Sequence, residues 1–292
     1  MLELSPGQRF RDALRAERPL QIAGAINAYS AMQASRAGFR ALYLSGAGVA
    51  NASHGLPDLG ITSLNDVLED AARITAVCPL PLLVDIDTGW GTELTIERAI
   101  RELERAGVAG IHMEDQVTAK RCGHRPGKQL VDIEEMQARL QAAVSSRRNP
   151  EFVIMARTDA VNVEGLTAAI TRARAYLAAG AEMIFAEAVE SLDDFRKVCQ
   201  AIDAPVLANM TEFGHTPSFS LADLRTAGVS MALYPLTAFR AMNAAARMAY
   251  ETIRIEGTQA SILGALQTRE QLYEVLNYHA AERRIDDQRS KS

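Results

Sequence analysis

The sequence predicts a closed parallel (β/α)8 barrel followed by helices, and three features of the chain support this fold class. Eight short apolar runs recur, and each is followed by a polar loop and a helix-length amphipathic segment. The runs lack the apolar–polar alternation of half-exposed strands, as expected for parallel strands covered on both faces. Four of the segments end in Ala-Gly just before the next run, and glycine suits the left-handed cap of a helix. Eight such units are the number that closes a barrel.

The predicted strands and the segments outside them define the organisation of the chain. A doubly wound open sheet is the alternative, but no Gly-x-Gly-x-x-Gly motif follows the first run. A loop rich in Gly, Pro and Asp covers residues 51–64, and two long helices are predicted over 236–256 and 268–284. Because no linker rich in Pro, Gly or Ser interrupts the chain, we predict one domain over 1–292, with C-terminal helices from about residue 236. The eight predicted strands are residues 21–26, 41–44, 82–86, 110–113, 153–156, 183–186, 206–209 and 231–234.

Composition narrows the class of function. The 292 residues include 31 Lys and Arg against 36 Asp and Glu, and this formal net charge of −5 argues against nucleic acid or an anionic membrane as a partner. No apolar run approaches the roughly 18 residues of a membrane span, and the first residues lack the pattern of a secretory signal. Three widely spaced cysteines, an odd number, argue against a disulfide framework and for a reducing cytoplasm. The charge still allows a locally basic pocket that binds an anionic small molecule.

Polar residues follow consecutive predicted strands, at ends that meet on one face if the barrel closes. Asp85 and Asp87 end the third strand and Glu114 follows the fourth. Carboxylates without His or Cys suit Mg²⁺ or Mn²⁺, whereas salt bridges or helix caps are the alternative interpretation. The chain must turn between Asp85 and Asp87 for both carboxylates to serve one site. Further polar residues at these ends are Asp115, Arg157, Asp159, Glu187, Asn209 and Glu212.

Cys122 is the candidate catalytic thiol. It lies in the hexapeptide Lys-Arg-Cys-Gly-His-Arg at residues 120–125. Four cationic neighbours would favour the thiolate and lower the pKa of the thiol, which predicts a general acid or base near neutral pH. Cys78 and Cys199 are interpreted as small core residues, and His112 as a buried histidine with satisfied hydrogen bonds.

These motifs together resemble the isocitrate lyase and phosphoenolpyruvate mutase superfamily. The hexapeptide matches the isocitrate lyase signature, and the resemblance covers essentially the whole chain. Within the superfamily the sequence is most similar to the short bacterial 2-methylisocitrate lyases, because isocitrate lyases are longer and carry Asn-Cys-Ser-Pro-Ser where this chain has Asn-Met-Thr-Glu-Phe. Relatives that form phosphonopyruvate lack the hexapeptide loop. The other matching stretches are residues 43–46, 55–60, 85–89, 114–116 and 155–160.

The resemblance implies a metal site and a substrate site. Asp85 and Asp87 would hold Mg²⁺ directly, with Asp58 and Glu114 in its outer coordination shell. The pyruvate-side carboxylate would be bound by the backbone of Ser45, Gly46 and Ala47 and by the guanidinium of Arg157. Cys122 and Gly123 would lie at the succinate side, and the remaining lining residues would be Glu187, Asn209, Met210, Thr211, Arg240 and Arg269.

The implied reaction is Mg²⁺-dependent cleavage of a tricarboxylate, 2-methylisocitrate, to pyruvate and succinate in propionate catabolism. Cys122 is the predicted proton donor, whereas Tyr43, His124 and a hydroxide on the metal all stay open as the base. Ala47 departs from the family, in which Gly is frequent, and its methyl group is tolerated unless the residue needs a positive φ. Relatives are homotetramers that exchange C-terminal helices. The alternatives are another lyase or decarboxylase of the superfamily, acting on isocitrate, dimethylmalate or oxaloacetate, or a catalytically silent binding protein.

Overall fold

A computed structural model describes residues 4–290 and contains the predicted closed barrel of eight parallel strands. Each strand pairs with its neighbours in chain order, and the last pairs with the first. The predicted strands are confirmed, and the first ends at Gly24, before residue 26, because the chain then leaves the sheet. The strands are Leu20–Gly24 (β1), Ala41–Leu44 (β2), Leu82–Asp85 (β3), Gly110–Glu114 (β4), Val153–Thr158 (β5), Met183–Ala186 (β6), Val206–Asn209 (β7) and Met231–Tyr234 (β8).

Helices follow the strands and begin at sequence signals that satisfy their first amide groups. The side chains of Ser5 and Asp132 accept hydrogen bonds from the first turns of the helices that follow them. The four predicted glycine caps all have positive φ angles, between 80° and 104°. The helices are Pro6–Ala16 (α1), Ala28–Arg36 (α2), Gly46–Gly48 (α3), Leu64–Val77 (α4), Glu93–Arg105 (α5), Ile133–Ser146 (α6), Leu166–Ala178 (α7), Leu192–Ala201 (α8), Leu221–Thr226 (α9), Thr237–Glu256 (α10), Arg269–Leu276 (α11) and Tyr278–Arg289 (α12).

The chain buries two apolar clusters. One lies between the strands and the surrounding helices, and the other fills the barrel interior. Helix α1 contributes Phe10 and Leu14 to the interior cluster, where they join Leu20 and Met231 at the amino ends of the strands. Burial of such side chains stabilises the fold by about 1.5–3 kcal/mol each. The amino end of the barrel is therefore closed by apolar packing, which leaves the carboxyl end for polar groups.

The chain forms two compact units, the first ending at Phe239 and the second beginning at Arg240. The second contains most of α10 together with α11 and α12. The helix predicted over 268–284 is wrong as one continuous element, because Asn277 has a left-handed backbone (φ 52°) that separates α11 from α12. No helix within residues 4–290 is long and apolar enough to cross a membrane. That the whole chain is one domain stays a prediction.

Candidate active site

Two buried carboxylates lie together at the carboxyl end of β3. Asp85 and Asp87 are 5% and 4% exposed, and the φ of Asp87 is 48°, so the chain makes the predicted turn between them. The backbone N–H of Gly46 donates to Asp85 Oδ2 at 3.0 Å. A Cβ atom at Gly46 would lie 3.1 Å from Asp87 Oδ1 and 3.2 Å from Asp85 Oδ2. Both carboxylates therefore meet at the start of the short helix α3.

Lys120 of the hexapeptide lies among the carboxylates. Its Nζ is 2.5 Å from Asp58 Oδ1 and 2.6 Å from Asp87 Oδ1, and the residue is only 5% exposed. Burial opposes the ammonium charge, but Glu114, Asp87 and Asp58 outweigh it and raise the pKa of Lys120 well above its usual value. Burial and repulsion from Asp85 raise the pKa of Asp87 to about 6. The cluster carries excess negative charge, which a further cation would stabilise.

The side-chain oxygen atoms of this cluster are suitable ligands for a hard divalent cation. All are carboxylate oxygens, which Mg²⁺ prefers. Within the described residues no group of three or more His, Cys, Asp or Glu side chains has the geometry of a complete protein cage for a metal. A cation held by Asp85 and Asp87 alone would take its remaining ligands from water and substrate, which is usual for Mg²⁺. It would also relieve the repulsion that raises the pKa of Asp87.

Arg157, at the end of β5, joins the acidic cluster to a second group of charges. Its Nε lies 3.0 Å from Asp159 Oδ2 and 3.3 Å from Glu114 Oε2, and Nη1 lies 3.6 Å from Glu187 Oε2. Burial opposes the guanidinium charge, but Asp159, Glu114 and Glu187 raise its pKa. Arg157 is 8% exposed, so its charged guanidinium group is largely shielded from water. A guanidinium group in such a position is suited to binding a carboxylate.

The hexapeptide loop packs directly on these strand ends at Gly123. A Cβ atom there would lie 2.4 Å from Arg157 Nη2 and 2.6 Å from Glu187 Cγ, so only glycine allows this approach. Cys122 is consequently half-buried beside Gly123. The structure thus brings Cys122 and Gly123 together with Arg157 and Glu187, as predicted.

The predicted lowering of the Cys122 pKa is wrong. Burial is the largest influence and raises the pKa of the thiol, although a hydrogen bond from the backbone N–H of His124 acts in the opposite direction. Lys120 and His124 do not stabilise a Cys122 thiolate, because they face carboxylates instead. Lys120 pairs with Asp58 and Asp87, and His124 lies against Glu187. Cys122 therefore keeps its proton at neutral pH.

His124 lies between His215 and Glu187. Its Nδ1 accepts a hydrogen bond from the backbone N–H of His215 at 3.0 Å, and its Nε2 lies 2.6 Å from Glu187 Oε1. Burial would raise the pKa of Glu187, but Arg157 and the neighbouring His124 lower it to about 2. The lone pair of His124 Nδ1 is thus used within the chain.

Tyr43 and His112 form a buried pair beneath the acidic cluster. Tyr43 Oη lies 2.9 Å from His112 Nε2 and 3.4 Å from Asp85 Oδ2. Burial and the charge of Asp85 raise the pKa of Tyr43 well above 10, while burial lowers the pKa of His112 to about 4. The interpretation of His112 as fully satisfied is wrong, because its buried Nδ1 has no hydrogen-bond partner within residues 4–290.

The other predicted lining residues have different surroundings. Asn209 donates from Nδ2 to both carboxylate oxygens of Glu187 at 3.3 Å, and its Oδ1 has no hydrogen-bond partner in the described chain. Thr211 lies near Gly214, where a Cβ atom would also meet the ring of His124. Met210 and Ser45 are buried. Ala47 lies in α3 and has no positive φ, so its methyl group causes no backbone strain.

Arg240 and Arg269 belong to the second compact unit. Their place at the substrate site therefore stays a prediction.

Sequence reasoning missed the contacts of Lys128, Asp159 and Asp115. These buried charges contact one another or the loop. The polar strand ends and the matching stretches 114–116 and 155–160 singled out Asp115 and Asp159, but neither signal indicates their partners.

Comparison with known proteins assigns the chain to a family. The phosphoenolpyruvate phosphomutase family model matches residues 10–254. The chain belongs to this family. It is 59% identical over 282 residues to 2-methylisocitrate lyase of Shewanella oneidensis, covering 97% of each protein. This similarity confirms the predicted superfamily and identifies the chain as a lyase.

Solved structures agree with this assignment. A crystal structure of 2,3-dimethylmalate lyase has a TM-score of 0.90 and 36% identity, covering 98% of this chain and 96% of that one. A phosphonopyruvate hydrolase in complex with oxalate and Mg²⁺ has a TM-score of 0.84 and 28% identity, covering 96% and 97% of the two chains. Mg²⁺ is therefore bound in at least one solved structure to which this chain is similar.

Proposed function

We propose that the chain is a Mg²⁺-dependent lyase that cleaves 2-methylisocitrate to pyruvate and succinate in propionate catabolism. The observation that carries this proposal is the meeting of Asp85, Asp87, Arg157 and Cys122 at the carboxyl end of one barrel. The 59% identity to a 2-methylisocitrate lyase supports the choice of substrate.

The metal and one carboxylate of the substrate occupy neighbouring positions in this proposal. Asp85 and Asp87 hold Mg²⁺, with Asp58 and Glu114 in the outer shell; Mn²⁺ is the alternative metal. When bound, the metal polarises the α-hydroxycarboxylate and stabilises the negative charge that develops on its oxygen. The pyruvate-side carboxylate is bound by the guanidinium of Arg157 and by the backbone of Ser45, Gly46 and Ala47.

The succinate-side groups of the proposed site are grouped around Arg157 and Glu187. Gly123 and Glu187 contact Arg157, and Asn209 contacts Glu187. These residues orient the remaining carboxylates and exclude water from the reacting carbon. The set is completed by Cys122, Met210, Thr211, Arg240 and Arg269.

Cleavage of the C2–C3 bond of 2-methylisocitrate needs one base, which removes a proton, and one acid, which supplies one. A base takes the proton of the hydroxyl group on C2, and the O–H electron pair forms the keto group of pyruvate as the C2–C3 bond breaks. The electron pair of that bond stays on C3 and delocalises into the adjacent carboxylate. Cys122 donates its proton to C3 and completes succinate. The raised pKa of the thiol supports this role, because the thiol is protonated at the start of the cleavage.

The geometry argues against two of the three candidate bases. Tyr43 Oη lies 2.9 Å from His112 Nε2 and 3.4 Å from Asp85 Oδ2, so its hydroxyl group already contacts groups of the chain. His124 accepts at Nδ1 and lies against Glu187 at Nε2. Neither side chain is therefore assigned to the hydroxyl proton.

The C-terminal helices belong to an oligomer contact in this proposal. None of the residues in α10, α11 or α12 is buried within the single chain. Association would cover their apolar side chains, and we propose the homotetramer of the family, in the cytoplasm. A light-scattering mass four times that of the chain supports this, and a monomer mass contradicts it.

The experiment that tests the function is a comparison of kcat/KM for four acids with purified protein and Mg²⁺. The acids are 2-methylisocitrate, isocitrate, 2,3-dimethylmalate and oxaloacetate, and products are identified by mass spectrometry. We expect 2-methylisocitrate to be the preferred substrate, with pyruvate and succinate in equal amounts. Preference for 2,3-dimethylmalate would favour the second candidate, which the 36% identity to that lyase supports.

A further inference from the structure

Lys128 connects the hexapeptide loop to the end of β5 and has no part in the proposed chemistry. The residue is 8% exposed, and its Nζ lies 3.0 Å from Asp159 Oδ1. The same ammonium group donates a short hydrogen bond to the backbone carbonyl of Gly123. One buried cation therefore contacts both the residue next to Cys122 and a strand of the barrel.

Asp159, the partner of Lys128, is held in place by hydrogen bonds of its own turn. It is 0% exposed, and its backbone N–H donates to Asp115 Oδ1 at 2.9 Å. Asp115 Oδ2 in turn accepts from Thr158 Oγ1 at 2.7 Å and from Tyr176 Oη at 2.8 Å. The turn that carries Asp159 is thus fixed by β4 and α7, so a group bound to Asp159 is fixed to the barrel.

The loop is pinned at its base but needs further contacts to stay on the site. Val117 N donates to the carbonyl of Gln129 at 3.0 Å, and Val131 N donates to the carbonyl of Asp115 at 3.0 Å. These bonds hold the two ends of the loop together, and the position of residues 118–128 over the site depends on their own contacts with the strand ends. The arrangement is that of a loop with a fixed hinge.

The contacts of the loop with the strand ends differ in kind. Lys120 and His124 bind the carboxylates Asp87 and Glu187, which metal and substrate would also engage. Lys128 instead binds Asp159, which also pairs with Arg157, and a backbone carbonyl, and neither group is a proposed ligand of metal or substrate.

We propose that Lys128 is a positioning residue that latches the hexapeptide loop to Asp159 and so holds Cys122 over the site. Loss of the ammonium group leaves the Gly123 carbonyl without this donor and Asp159 without this cation. The loop then opens more often about its hinge, while the barrel stays folded. The effect of the latch on turnover rests on the proposed function; the effect on the position of the loop does not.

The direct test is the rate at which iodoacetamide alkylates Cys122 in full-length Lys128→Met protein, followed by mass spectrometry of the peptides. Opening exposes the thiol and removes the burial that raises its pKa, so we expect alkylation at least about tenfold faster than in the wild type. Lys197→Met is the matched control, because Lys197 is 62% exposed and pairs with Asp194 on α8. Its Cys122 rate should equal that of the wild type.

Cys199 on α8 distinguishes local opening from general loosening within the same sample. Its alkylation rate should be unchanged in Lys128→Met. Equal Cys122 rates in Lys128→Met and wild type overturn the proposal, and so does a parallel rise at Cys199. If Lys128→Met does not fold, Lys128→Gln is measured by the same criteria, since it removes the same cation and leaves Asp159 paired with Arg157.

Turnover separates this proposal from the proposed function. We expect kcat with 2-methylisocitrate to fall in Lys128→Met by roughly tenfold or more, because Cys122 is less often in place. Absence of cleavage by the wild type contradicts the proposed function, whereas the alkylation rates still decide the latch. Fast alkylation with unchanged kcat overturns the role of Lys128 in positioning Cys122 for turnover.

Discussion

The two ends of the barrel differ in what they bury: apolar side chains at the amino end and charged side chains at the carboxyl end. At the amino end, Phe10 and Leu14 of α1 pack on Leu20 and Met231, and the charged side chains remain partly exposed. At the carboxyl end, acidic residues, two lysines and Arg157 are buried together. Buried ion pairs contribute little net stability, because desolvation offsets their attraction. The amino end therefore contributes more to the stability of the fold, and the carboxyl end holds the charges of the candidate site and of the loop above it.

The largest expected effect separates activity from stability at the carboxyl end. Cys122→Ser should lower kcat by roughly 10²–10⁴-fold, because a serine hydroxyl is a much weaker acid than the thiol. The melting temperature should stay close to that of the wild type, since Cys122 is only half-buried. Steady-state kinetics and calorimetry check both statements. Unchanged turnover would remove Cys122 from the mechanism.

A substitution at the amino end should have the opposite effect and lower stability without lowering activity. Phe10→Ala deletes a side chain that is 1% exposed and should lower the free energy of unfolding by about 3–5 kcal/mol. Activity well below the melting temperature should be retained, because Phe10 lies at the opposite end from Cys122. Leu4→Ala is the control: Leu4 is 54% exposed, so its loss should cost less than about 0.5 kcal/mol. A loss of activity without a loss of stability in Phe10→Ala would break the division between the ends.

Metal binding should stabilise the folded chain through the carboxyl end alone. At a Mg²⁺ concentration 100 times the dissociation constant, the free energy of unfolding should rise by about 2.7 kcal/mol. Thermal unfolding with Mg²⁺ and with EDTA measures this. Asp87→Asn should abolish the response, whereas Asp12→Asn in α1 should retain it. A response that survives Asp87→Asn would place the cation elsewhere.

The smallest effect concerns the partly exposed charges of the amino end. Arg11 contacts Glu151 at 2.9 Å and Glu182 at 3.0 Å, with a side chain 22% exposed, so Arg11→Met should cost only about 1 kcal/mol. Arg15→Met removes a pair whose arginine is 59% exposed, and its effect should be near zero. Denaturant unfolding of both variants tests this ranking, and a larger cost for Arg15→Met would contradict it.

The fold was predictable because its signals are local. Apolar runs without alternation and Ala-Gly caps predict all eight strands from neighbouring residues alone. Asn277 shows the limit of such signals. Its left-handed backbone ends α11 within a segment whose helical pattern continues, so the predicted helix over 268–284 is divided there.

The convergence of the strand-end residues was predictable, but the electrostatics of the candidate site were not. Asp85 and Asp87 could be singled out because strand ends converge in a closed barrel. The pKa of Cys122 could not, because its sign depends on where Lys120 and His124 point after the loop folds. Lys128 was missed for the same reason, since its partner Asp159 is 31 residues away.

The most direct test of the account is cleavage of 2-methylisocitrate in D2O with Mg²⁺, followed by nuclear magnetic resonance. The proposed mechanism predicts pyruvate and succinate in equal amounts. Each succinate should carry one deuterium on a methylene carbon, because the Cys122 thiol exchanges its proton with the solvent before it protonates C3. Cys122→Ser run beside the wild type should show little product. Absence of these products with folded, Mg²⁺-loaded wild-type protein, or succinate without deuterium, would contradict the account.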